Sequence, residues 1–264
     1  MPTFEAPGAH IYYEQAGSGV ALLNIGGSGG DLRRRPSPLA WPGAGRFEQV
    51  AYDHRGLGRS RATDPQTQPT MADFAADALA LVDRLGWERF SLIGISFGGM
   101  VAQEVAIHAG ERVRRLVLAA TSSGGAGGAS APLHEILALP PPQRAEQFVE
   151  LVDMRTREDP ALRAELLVLT EPVTADAGDV RLRLAIARQL EARRHHDTWE
   201  RLDRITAPTL VAAGRYDALA PVENSQALAG AIAGARLEIF DGGHGFLFQD
   251  PAAWRVVADF LLEA

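Results

Sequence analysis

The sequence predicts an α/β protein with one mostly parallel sheet, flanked by helices and interrupted by a helical insertion. Three observations carry that prediction. Short apolar runs alternate with stretches of helical period between residues 20 and 120, and the same rhythm returns at residue 207. Between the two lies an arginine-rich tract without a strand-like run. The chain has 264 residues, 46% of them hydrophobic and none of them cysteine. That length buries a sizeable core without disulfides and excludes thiolate catalysis.

The first strands are read at "HIYYEQAG" (10–17), "VALLNIG" (20–26) and "FEQVAYD" (47–53), separated by glycine-rich turns. Helical spacing of Met71, Phe74, Ala75, Ala78, Val82 and Leu85 predicts a helix over 71–86. Thr70 and Asp73 supply a capping-box start, and Gly86 a stop. A strand at "RFSLIGI" (89–95), a helix over 97–110 and a strand at "VRRLVLAA" (113–120) follow. Residues 121–132 read as loop and roughly 133–203 as helix. The sheet rhythm resumes with "APTLVAAG" (207–214), a helix near 222–233, "ARLEIF" (235–240) and a last helix over 251–264.

The formal charge of −7 argues against nucleic acid or an anionic membrane as partner. All 26 basic residues are arginine, which removes lysine Schiff bases and lysine-dependent phosphate loops. The N-terminus lacks a basic region followed by an apolar core, and no apolar run reaches the ~18–20 residues of a membrane span. A cytoplasmic protein acting on a small molecule is expected, with homo-oligomerisation left open.

The strongest local signal is "GISFGG" (94–99), a G-x-S-x-G pattern with a predicted strand running in and a predicted helix running out. In that setting Ser96 sits on a tight, strained turn at the sheet's C-terminal edge. A serine that merely caps the helix leaves the flanking glycines unexplained. A nucleophilic serine needs a base and an orienting acid, and for this fold the expected chain order is Ser, then Asp or Glu, then His. His244, in the strand-end loop "FDGGHGFLFQDP" (240–251), is the histidine that fits. His10, His54, His108, His134, His195 and His196 fit worse, and "RRHHD" (193–197) reads as a solvated or lid-facing helix end rather than a metal site. "LVAAGRYDALAP" (210–221) ends a strand with a loop carrying Asp217, 27 residues before His244. Glu238 and Asp241 are the competing carboxylates.

A second glycine-rich turn, "IGGSGGD" (25–31), suits a bound anion. A dinucleotide reading fails in register, because counting G-x-G-x-x-G from Gly27 puts Leu32 at the third glycine. Asp53 lies where a ribose-binding acid would, yet the proline-rich segment 31–45 has no helical period to complete that site. An oxyanion fits better.

Taken together, "DHRGLGRS" (53–60), "GISFGGMVAQEVA" (94–106), "VRRLVLAATSS" (113–123), "APTLVAAGRYDALAP" (207–221) and "GGHGFLFQDP" (242–251) make the chain resemble the α/β-hydrolase superfamily. Within it the pattern looks most like the small bacterial esterase and enol-lactonase branch. The resemblance implies an eight-stranded, mostly parallel sheet with a helical lid inserted after the sixth strand. Residues 1–121 and 207–264 would then form the core and 122–206 the lid. It also implies an oxyanion hole made by the N–H of Phe97 and that of Ser28, with Gly27 as the fallback. Gly26 stands where the family usually places histidine.

The expected activity is hydrolysis of a carboxylic ester or lactone by Ser96, His244 and Asp217, with no metal or cofactor. The same triad also serves C–C bond hydrolysis, cofactor-free perhydrolysis or lyase chemistry, and a non-catalytic ligand-binding scaffold is a further reading. Arg33, Arg34 and Arg35 are read either as recognising a substrate carboxylate or as solvated. Leu162, Leu166, Leu167 and Leu169 either line an acyl pocket or pack the lid.

Overall fold

A computed structural model describes residues 2–34, 37–174 and 178–263. Four strands open the chain: β1 (Thr3–Ala6), β2 (Ala9–Ala16), β3 (Val20–Ile25) and β4 (Phe47–Tyr52). The two-residue β5 (Arg61–Ala62) precedes α1 (Met71–Arg84), β6 (Phe90–Ile95), α2 (Phe97–Ala109) and β7 (Val113–Ala119). Helices α3 (Leu133–Leu137), α4 (Pro141–Val152), α5 (Pro160–Thr174) and α6 (Val180–Arg194) come next. The chain ends with β8 (Thr209–Gly214), α7 (Val222–Ala231), β9 (Arg236–Phe240), α8 (Phe246–Gln249) and α9 (Ala253–Leu262).

The sheet runs β1-β2-β4-β3-β6-β7-β8-β9, with β5 paired to β2 off this path. Pairing is antiparallel at β1/β2, β2/β4 and β2/β5 and parallel from β4/β3 to β8/β9. The mostly parallel eight-strand path matches expectation. Strands β1 and β5 are additions to the sequence reading, since segments of four and two residues are too short to show a period.

Central strands bury both faces, so their side chains alternate between two cores. Leu23, Leu92, Leu116, Leu118 and Val211 pack with Phe74, Leu81, Val101 and Val105 of α1 and α2. Their neighbours Leu22, Ile93, Val117, Leu210 and Ala212 pack on the opposite face with Trp41, Trp254, Val257 and Leu261. The start of α1 is the expected capping box: Asp73 N–H donates to Thr70 Oγ1 at 3.3 Å, and Thr70 N–H to Asp73 Oδ2 at 2.8 Å.

Parallel strands end together, and this placement brings the loops after β3, β6, β8 and β9 to one edge. A buried ion pair holds α1 against that edge. Arg55 Nε and Nη2 each donate to Asp77 at 2.8 Å, with the two side chains 9% and 0% exposed. Removing one partner leaves the other charge buried and uncompensated. Asp77→Ala is therefore expected to lower the urea-unfolding free energy by about 3 kcal/mol.

Candidate active site

Ser96 links β6 to α2 with φ 58° and ψ −118°, a backbone region that side chains other than glycine rarely enter. The turn is pinned on several sides. Ser96 N–H donates to Ala119 O at 2.9 Å, and Thr121 Oγ1 donates to Ser96 O at 2.8 Å. The flanking glycines are required by close approach. A Cβ on Gly94 would lie 2.6 Å from Ala102 Cβ, and one on Gly98 would collide with the Ile25 carbonyl. The Ser96 side chain makes no capping bond to the helix, so the capping alternative fails.

Beside Ser96 runs the glycine loop after β3. A Cβ on Gly27 would sit 3.4 Å from Ser96 Cβ and 3.9 Å from its Oγ. Gly30 N–H donates to Gly27 O at 3.3 Å, and Gly29 N–H to Gln189 Oε1 of α6 at 2.8 Å. Among the described residues, the N–H groups of Gly27, Ser28 and Phe97 donate to no protein acceptor. Three unpaired donors thus belong to two segments that meet at Ser96. The Ser28 hydroxyl is buried without a partner among the described residues.

Asp217 and His244 meet across the ends of β8 and β9. Asp217 Oδ2 lies 2.8 Å from His244 Nδ1, while its Oδ1 accepts the N–H groups of Leu219 and Ala220, each at 2.8 Å. The carboxyl side chain is fully buried, so these bonds replace its water. A carboxylate only accepts, which places the proton on Nδ1 and leaves Nε2 free to take another. Among the described residues, Ser96 Oγ has no hydrogen bond to His244. Such contacts are often loose in free enzymes and tighten on substrate binding. Neither competing carboxylate reaches the ring: Glu238 lies within β9, and Asp241 faces Arg155.

The segment between β7 and β8 braces both loops, a feature that local sequence does not reveal. His244 N–H donates to Val152 O at 2.6 Å, and Ala218 N–H to Leu151 O at 3.0 Å. Asp153, fully buried, accepts from Gln249 Nε2 at 3.0 Å, and Gln249 Oε1 in turn accepts the Gly243 N–H at 2.8 Å. Leu166 packs with Phe148, Leu190 and Leu219, and Leu162 and Leu167 join that cluster, whereas Leu169 is 63% exposed. Arg33 is bound to Asp31, and Arg35 lies outside the described residues. A cavity of about 610 Å³ lies between the 55–74 region and the start of α6, and neither Ser96, Asp217 nor His244 lines it.

Two further histidines are buried. His196 is buried rather than solvated, while its neighbour His195 is exposed and bonded to Glu191. His54 opens a turn closed by the Leu57 N–H on its carbonyl, is 1% exposed, and places Nε2 3.0 Å from Gly26 O. Burial lowers both His54 and His196 to a pKa of about 4. Asp53 is committed to structure, its two oxygens accepting the N–H groups of Leu32 and Arg59, each at 2.7 Å.

A parallel sheet carrying a strained serine turn and a buried Asp–His pair at one edge defines a protein of the α/β-hydrolase class. Residues 22–257 match the model of the Alpha/beta hydrolase family, and the chain belongs to that family. It is 30% identical to the proposed carbamate hydrolase RutD of Azorhizobium caulinodans over 95% of this chain and 94% of that protein. A hydrolase from Pseudomonas aeruginosa PA01 superposes with a TM-score of 0.77 at 29% identity, covering 97% of this chain and 95% of that one. The enol-lactonase from Burkholderia xenovorans LB400 gives 0.79 at 24% identity, covering 99% and 100%, a likeness of fold alone. The chain is a hydrolase.

Buried neutral imidazoles have a consequence for stability. Between pH 6.5 and about 4 the unfolded chain takes up a proton that folded His196 refuses. Its contribution is full above pH 6.5 and is lost as the pH falls toward 4. The stability difference between wild type and His196→Gln should therefore shrink by about 2 kcal/mol from pH 7 to 4.5, measured by urea unfolding.

Proposed function

We propose that the chain is a serine hydrolase of carboxylic esters or lactones, working through Ser96, His244 and Asp217. The observation that carries this reading is the buried Asp217–His244 hydrogen bond at the sheet edge where Ser96 is presented. Ser96 Oγ attacks the substrate carbonyl while His244 Nε2 takes the hydroxyl proton. Asp217 holds the imidazole in the tautomer that leaves Nε2 free and stabilises the charge that develops on the ring. The carbonyl oxygen becomes an oxyanion, which the N–H groups of Phe97 and of the Gly27–Ser28 pair receive. Ser28 is the donor on the family pattern, and the closeness of Gly27 to Ser96 supports the Gly27 N–H beside it.

His244 returns its proton to the departing alkoxide, which stays tethered in a lactone. Water, deprotonated by the same imidazole, then cleaves the acyl-enzyme and frees Ser96. This route uses no metal or cofactor. Residues 122–206 act as a lid over a core made of 1–121 and 207–264, and the bracing of residues 151–153 against both triad loops supports that division. The similarity to RutD favours a second reading, a carbamate carbonyl attacked by the same serine.

Turnover of p-nitrophenyl butyrate should fall at least ~10⁴-fold in Ser96→Ala, and Asp217→Asn should lose a comparable factor in kcat. Retained turnover in Ser96→Ala overturns the mechanism for every substrate. A parallel panel of p-nitrophenyl butyrate, γ-valerolactone and an N-methyl aryl carbamate decides the class. A kcat/KM highest for the ester or lactone supports the first reading, and one highest for the carbamate supports the second.

A further inference from the structure

The loop that carries the proposed oxyanion donors has no side chain at either Gly26 or Gly27. A peptide between two glycines turns more easily than any other, because neither flanking residue has a Cβ to hinder it. Its two polar ends are rigidly coupled, since the carbonyl and the N–H of a trans peptide point in opposite directions. The carbonyl of this peptide belongs to Gly26 and the N–H to Gly27. His54 Nε2 stands 3.0 Å from the Gly26 oxygen. Resting on the acyl-transfer reading above, we infer that His54 is a positioning residue for the oxyanion site. Its Nε2–H grips the Gly26 carbonyl and thereby sets the direction of the Gly27 N–H.

The imidazole is itself held from three sides. It stands edge-on to Tyr52, Phe74 and Phe97, with ring centroids 5.2, 5.6 and 5.2 Å away. Phe97 bears the other proposed donor on its backbone, so one buried ring touches both halves of the site. The tautomer follows from the partner. A carbonyl only accepts, so Nε2 carries the proton and Nδ1 is left bare, buried and without a partner among the described residues. Packing alone does not account for this choice. A phenylalanine would fill the space between the three rings without burying an unsatisfied nitrogen.

The test compares His54→Gln, His54→Asn and His54→Phe on p-nitrophenyl butyrate, with an aryl trifluoromethyl ketone as a probe that needs the oxyanion site. Gln carries its amide N–H far enough to reach the Gly26 carbonyl, and Asn is one methylene short. His54→Phe and His54→Asn are expected to lower kcat on the order of 10–100-fold, less than outright loss of a donor, with KM changed by less than about threefold. Ketone affinity should weaken by a matching factor. His54→Gln should recover kcat to within about fivefold of wild type. Wild-type kcat in His54→Phe overturns the inference, as does a loss confined to KM or a His54→Gln no better than His54→Asn. If His54→Phe fails to fold, the Gln–Asn comparison decides. Ser96→Ala separates the two levels: its retained turnover removes the acyl-transfer reading, whereas an inactive Ser96→Ala beside silent His54 variants removes only the role of His54.

Discussion

The site depends on how closely the start of α2 approaches the ends of β3 and β6. Gly94, Gly98 and Gly99 are demanded there, because a methyl group on any of them would meet a backbone carbonyl or a neighbouring Cβ well inside van der Waals contact. That contact forces Ser96 into positive φ and turns the first N–H groups of α2 toward the sheet edge. It also brings the loop after β3 against the serine. One steric constraint therefore presents the proposed nucleophile, aims a helix N-terminus and seats the loop that carries the other proposed donors.

Charge is handled by complete satisfaction rather than by exposure. Asp217 has no access to water, and its two oxygens are occupied by two N–H groups and an imidazole. The backbone of the partner histidine is tied to Val152, and the loop between them to Leu151. Segments far apart in the chain thus fix the relative position of Asp217 and His244. The segment between β7 and β8 is thereby tied to both the Asp217 and the His244 loops. On the other side, Gln189 of α6 and the His54 ring hold the glycine loop from two directions.

Much of this was legible in the local sequence. The helical period of 71–86, the apolar runs of the parallel strands and the glycine spacing around Ser96 are short-range patterns set by backbone geometry. The order of Ser96, Asp217 and His244 also follows from strand-end loops. Less legible were elements too short to show a period, such as β1 and β5. The burial of His54 and His196 was not legible either, because burial of a polar side chain depends on what packs over it. Nothing within a few residues of His54 announces Gly26, 28 positions earlier, as its partner. The same holds for Gln189 and Gly29, 160 positions apart.

The sequence by itself determined the fold class, the tight turn at Ser96 and the identities of the proposed nucleophile, acid and base. These rest on period, on the absence of a Cβ at chosen glycines and on chain order, all of which are local. Only the tertiary structure decided which polar groups are buried, which carbonyl His54 holds, and which segments brace the histidine loop. The physical reason is that hydrogen bonds and desolvation act through space, between residues whose separation along the chain says nothing about their distance.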